Sequence, residues 1–184
     1  IKYTFNFCDD IEASMEMNPG TVTEEKLRKY RQAGVNRLSI GLQSVNDEEL
    51  RLLGRIHTYE EFLEAYHLAR ANGFSNINVD LISAIPGQTV ESWRRTLEQV
   101  MALSPEHISA YSLILEEGTT FYKKYVEDEA KEGPKLPDED AERQMYWDTE
   151  TLMEKNGYHR YEISNYAKEG YACRHNLGYW ERIP

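Results

Sequence analysis

The sequence predicts an α/β protein with a parallel sheet, on three observations. Strand-like and helix-like stretches alternate through residues 11–118. The helix-like stretches open on Thr or Asn and several close on Gly, which is the chemistry of helix ends. A length of 184 residues with 40% hydrophobic and 11% aromatic content is enough for one packed core.

The first strand is expected in IEASMEMNPG, where Ile11, Ala13 and Met15 alternate with Glu12, Ser14 and Glu16. Thr21 and Glu24 have capping-box spacing for the next helix; acidic residues lead it, basic residues crowd its later turns, and Gly34 can end it in a left-handed cap. In NRLSIGLQS, Leu38, Ile40 and Leu42 share one face of a second strand, leaving Ser39, Gly41 and Gln43 on a small, polar one. Asn46 and Glu49 open a short helix that ends at Gly54. Thr58 and Glu61 open a longer one, with Phe62, Ala65, Tyr66 and Ala69 as its apolar stripe and Gly73 as its stop. A third strand runs through NINVDLIS into the turn AIPGQT. Thr89 caps a helix carrying Trp93, Leu97, Val100 and Met101, and HISAYSLIL is the fourth strand. This β-α order makes the strands parallel, joined by right-handed crossovers. After Gly118 a charged helix, the loop KEGPKLPDED, a helix over residues 138–155 and one final strand, YHRYEISNYA, are expected.

Four parallel strands fit either an open doubly wound sheet or part of a barrel, and both place function at the C-terminal strand ends. Those ends carry Glu16, Gln43, Asp80 and the Tyr111-Ser112 pair. Singly, each reads equally well as a cap for a loop or helix; together they point to a site.

Charge narrows the partners. With 32 acidic against 21 basic side chains, a net charge of -11 repels phosphate backbones and anionic lipid, so nucleic acid is excluded and membrane association is not indicated. No run of about 18 apolar residues occurs and the start lacks a basic, then apolar, leader; a cytoplasmic protein is expected. GxGxxG, GxxxxGK[ST], HExxH and GxSxG are all absent, and AIPGQT reads as a strand-to-helix turn or as a helix start facing an anion. The initial Ile and the apolar YWERIP read as the ends of an excised segment.

The blocks MEMNPGTV, NRLSIGLQSVNDEELRLLGRIHT, NVDLISAIPGQTVESWRRTLEQV, YSLILEEGTTFYK and YEISNYAKEGYACRHNLGYW, in this order over nearly the whole chain, resemble the oxygen-independent coproporphyrinogen III oxidase family of radical S-adenosylmethionine proteins. EISNYA followed by CRHNLGYW is similar to that family's haem-chaperone branch. The resemblance implies a partial TIM-type (β/α)6 barrel, incomplete at its N-terminus, which binds S-adenosylmethionine and a [4Fe-4S] cluster. The barrel segment would span residues 1–184, with its core at 11–118, an extension at 119–184, and a smaller C-terminal domain beyond. It places Glu16, Gln43, Arg55 and Asp80 at the family's S-adenosylmethionine contacts, with Ile114 near another through its backbone. Carboxylates and an amide can bind ribose hydroxyls and the amino group, and a guanidinium can pair with the methionine carboxylate. For Arg55 the alternative is a partner for a helix C-terminus.

The family's CxxxCxxC motif is absent. Cys8 and Cys173 are the only cysteines, so this chain supplies no metal site for the cluster, which needs at least three sulfurs together. Cys173 with His175 is an incomplete metal pair. His175, Asn176, Tyr179 and Trp180 match the branch's HNxxYW pattern, for which the resemblance implies haem binding; an imidazole can ligate iron and aromatic faces can pack on a porphyrin. The alternative puts Tyr179 and Trp180 in the core of a further strand. Three functions are therefore expected in competition: a haem chaperone with an unidentified acceptor or electron donor; a coproporphyrinogen III oxidase converting propionates to vinyls; and an unrelated α/β enzyme using Glu16 and Asp80 as an acid-base pair.

Overall fold

A computed structural model describes residues 8–128 and 133–183. Six strands form one sheet in the order β1-β2-β3-β4-β6-β5. Strands β1 (Ser14–Met17), β2 (Arg37–Gln43), β3 (Ile77–Ser83) and β4 (His107–Ser112) are parallel, as the β-α order requires. The expected final strand is instead two short ones, β5 (His159–Arg160) and β6 (Asn165–Ala167), which pair antiparallel; β6 also lies antiparallel to β4. Only residues 161–164 separate them, too few for the crossover that parallel pairing needs.

The two sheet faces differ. Leu38, Ile40, Leu42, Ile77, Val79, Leu81 and Ile108 are fully buried and share a core with Leu27 of α1 (Glu24–Ala33), Phe62, Tyr66 and Ala69 of α3 (Tyr59–Ala71), and Trp93, Leu97 and Val100 of α4 (Val90–Ala102). Trp93 also pins α4 to α6 (Glu139–Lys155): its indole N–H donates to Thr149 Oγ1 at 2.8 Å. Burying an indole of this size contributes roughly 4–6 kcal/mol before entropy is counted.

Helix starts follow their caps. Thr58 and Thr89 form reciprocal capping boxes with Glu61 and Ser92. Asn46 caps α2 (Asp47–Leu52), accepting from the Glu48 N–H. Two details differ from expectation. Thr23, not Thr21, caps α1, because the chain first makes a 3-10 turn at Pro19–Thr21. Glu49 is not a cap; its carboxylate is buried and accepts from Ser44, Gln88 and Ser92. The charged helix after Gly118 reduces to α5 (Thr120–Tyr122) running into a π-turn at Lys123–Glu127, and its continuation, with the start of KEGPKLPDED, lies outside the described residues. The last helix is α7 (Arg174–Trp180).

Candidate functional site

The face of the sheet turned away from the core is polar, and register explains how its residues meet. Glu16, Ser39, Asn78 and His107 lie side by side across β1 to β4, and Gly41, Asp80 and Ser109 form the next row. Parallel strands buried on both faces ordinarily read as continuous apolar runs; here the two-residue alternation builds one apolar and one polar face. The polar face lines a cavity of about 920 Å³.

That cavity collects all five residues assigned to S-adenosylmethionine: Glu16, Gln43, Arg55, Asp80 and Ile114. Asp80 lies mid-strand rather than at the end of β3, so it forms the floor. Its carboxylate accepts from Ser39 Oγ and Asn78 Nδ2, both at 2.8 Å, and burial raises its pKa against the opposing pull of those bonds. Gln43 ends β2 at φ 75°, a left-handed backbone that costs a non-glycine residue, where the register with β3 slips by one. The slip turns its amide over Gly41, where a Cβ would sit 2.9 Å from Gln43 Nε2. Arg55 follows α2, and the buried His57 ring, 3.2 Å from the Leu42 carbonyl, pins its loop to the end of β2. Arg55 lines the cavity. Of the strand-end pair, Tyr111 and Ser112 line the same space, and Ser112 Oγ donates to Glu142 at 2.5 Å.

Four residues of this face escaped the sequence reading although their alternation was available: Arg37, Asn78, His107 and Ser109. His107 is fully buried and sits in a polarised chain of hydrogen bonds. The Cys173 N–H (3.3 Å) and Asn176 Nδ2 (3.2 Å) both donate to Tyr161 Oη, so the tyrosine proton points to His107 Nε2 at 2.7 Å. The imidazole then carries its proton on Nδ1 and donates to Asn78 Oδ1 at 2.6 Å. Burial, with a smaller push from Arg37, lowers the His107 pKa to about 3, in keeping with that neutral ring. Burial likewise pushes the Tyr161 hydroxyl up to about 12.

The closing motif is split across α7. His175 and Asn176 line the large cavity, together with Cys173. Tyr179 and Trp180 are 75% and 59% exposed on a helix, which overturns the alternative that buries them in the core of a further strand. Tyr179 meets His175 edge to face at 4.9 Å, while Trp180 borders a separate groove with Tyr146, Arg160 and Ile163. Cys8 is exposed and Cys173 buried, its Sγ 3.6 Å from Glu12.

The sequence profile of the Radical SAM superfamily matches residues 2–100, which hold β1 to β3 and four of the five cavity residues above. The chain belongs to the radical SAM superfamily. Among radical SAM relatives, the heme chaperone HemW of Haemophilus influenzae is 43% identical over 98% of this chain, and that of Escherichia coli 42% identical over 93%. The chain spans 45% and 43% of those proteins' lengths. Coproporphyrinogen III oxidase (HemN) from Escherichia coli, a radical SAM enzyme of known structure, superposes over 99% of this chain and 40% of its own with a TM-score of 0.78 and 26% identity. The partial barrel is thus a radical SAM barrel.

Membership brings S-adenosylmethionine and a [4Fe-4S] cluster as cofactors. The cavity fits the first: acidic Glu16 and Asp80, the Gln43 amide and the Arg55 guanidinium match the hydroxyls, amino group and carboxylate of an amino-acid nucleoside. The two cysteines do not fit the second, which needs at least three thiolates together.

Proposed function

We propose that this chain is the barrel portion of a haem chaperone, binding S-adenosylmethionine at the C-terminal end of its strands and haem beside α7. One observation carries the reading: a single cavity is lined both by Glu16, Gln43, Arg55 and Asp80 and by His175 and Asn176 of the HNxxYW motif. The similarity to two heme chaperones over most of this chain supports it. In the longer protein the cluster's cysteines would come from outside these residues; the cluster supplies the electron that cleaves S-adenosylmethionine. Asp80 and Glu16 would orient the nucleoside, Arg55 would hold the methionine carboxylate, and His175 would present an imidazole to haem iron. The acceptor that receives the haem is a further protein, and the compartment is the cytoplasm; among the described residues no helix is long and apolar enough to cross a membrane.

A second reading, oxidative decarboxylation of coproporphyrinogen III, is favoured by the superposition on HemN. Superfamily membership removes the third, an unrelated acid-base enzyme, and Asp80 is already engaged by Ser39 and Asn78.

The test uses the full-length protein with its cluster reconstituted. Asp80→Asn and Gln43→Ala should weaken S-adenosylmethionine binding about tenfold each, and His175→Ala should shift the Soret band of bound haem without loss of helical circular dichroism. Unchanged nucleoside affinity in both variants would remove the pocket; an unchanged Soret band would remove His175 as a ligand, and conversion of coproporphyrinogen III would favour the oxidase.

A further inference from the structure

Arg37 opens β2 on the cavity side, only 4% exposed. Its guanidinium has five N–H donors, yet one hydrogen bond is made, from Nη1 to Ser14 Oγ at 3.0 Å, and the buried Nε meets no acceptor among the described residues. No carboxylate of the described residues lies within ion-pair distance of it. Asp80, whose carboxylate feels the Arg37 charge, is already held by Ser39 and Asn78. A buried cation with an unmet donor is costly until an anion joins it. We propose that Arg37 is a carboxylate-binding subsite at the base of the cavity and takes a propionate of a bound porphyrin.

Position decides which carboxylate it serves. Arg37 lies six residues before Gln43 along one strand, about 20 Å at the rise of an extended chain. A methionine carboxylate held by Arg55 at the far end is therefore out of reach. The base of the cavity instead faces α7. His107, which opens β4, bonds Tyr161, and Tyr161 bonds Cys173 and Asn176. Arg37 and Asn176 thus border one end of the same space, which His175 of the same helix also lines. The subsite rests on the haem-binding reading and extends it, since it gives the porphyrin a polar anchor in addition to the iron ligand.

The experiment compares iron protoporphyrin IX with its dimethyl ester on the full-length protein, and S-adenosylmethionine with its decarboxylated form. The native protein should prefer the diacid over the ester by roughly tenfold or more, the scale of one charge-assisted bidentate contact. Arg37→Met should erase that preference while leaving ester affinity within about twofold, and Arg37→Lys should keep part of it. A diacid-to-ester ratio equal in native protein and Arg37→Met overturns the subsite, and so does a ratio near one in native protein, which settles the matter even if Arg37→Met fails to fold. Loss of discrimination between the two nucleosides, with the porphyrin ratio intact, would assign Arg37 to the methionine carboxylate and overturn the propionate. If His175→Ala leaves the haem spectrum unchanged while the ester ratio responds to Arg37, the iron-ligand reading fails and the subsite stands; if the native protein binds neither porphyrin, both fall.

Discussion

His107 shows how one buried residue sets a pH response. Its ring is neutral because Tyr161 donates to Nε2 and Asn78 accepts from Nδ1; a second ring proton would face a hydroxyl whose lone pairs already serve Cys173 and Asn176. Its pKa falls from 6.5 to about 3 on folding, so between those values the unfolded chain binds the extra proton. Stability from this group is complete above about pH 6.5 and is lost as the pH falls toward about 3, at up to about 1.4 kcal/mol per pH unit. Asp80 works in the opposite sense: burial raises its folded pKa, so the folded state takes up that proton first and gains stability at the acid end. His107→Gln, neutral at every pH, should therefore show a flatter fall in urea midpoint between about pH 6.5 and about pH 4.5 than the native chain. Parallel profiles would mean that His107 is not the group responsible. Gln43 is the residue-scale counterpart in the site: its left-handed backbone and the slip beside it turn an amide into the cavity at a cost in local strain.

At the scale of elements, what the sequence made legible was local chemistry. Thr58 with Glu61, Thr89 with Ser92 and Asn46 each cap a helix through atoms within three residues, so composition and spacing suffice. The alternation in β2 to β4 was equally readable, and it foretold a polar face, though Arg37, Asn78 and His107 hid at the margins of apolar runs. The β5-β6 pair and α7 were not legible, because their placement depends on partners far away in sequence. Asn165 sits on β4 through Ser109, and α7 is tied to Glu12 and Asp10 by Arg174 and to β4 through Tyr161. Tyr161→Phe tests that tie. It deprives the Cys173 N–H and Asn176 of their acceptor and should cost about 1–3 kcal/mol, with exchange of the Cys173 amide accelerated about tenfold. Tyr158→Phe, whose hydroxyl bonds the Pro105 carbonyl at 2.7 Å on another part of the fold, should leave that amide unchanged. Equal protection of the Cys173 amide in Tyr161→Phe and native protein would detach α7 from this chain of bonds.

Across the whole molecule, two fields act on an anionic ligand with opposite sign. The chain carries a net charge of -11, so at long range it repels a dianionic porphyrin. Within the cavity Arg37 and Arg55 attract it, but two cations against a net charge of -11 prevail only for a ligand already entering. Salt distinguishes the two, since screening over about 10 Å weakens the repulsion between separated charges far more than a buried pair. The association rate of iron protoporphyrin IX with this chain should therefore rise, by about twofold to threefold between about 20 and about 200 mM salt, while its dimethyl ester shows little change. Dissociation should be nearly insensitive to salt in both cases, because the contact that holds the carboxylate is buried. A diacid association rate that falls with salt would show that local attraction outruns the net charge, and that the acidic surface does not govern the approach of the ligand to the open side of the sheet.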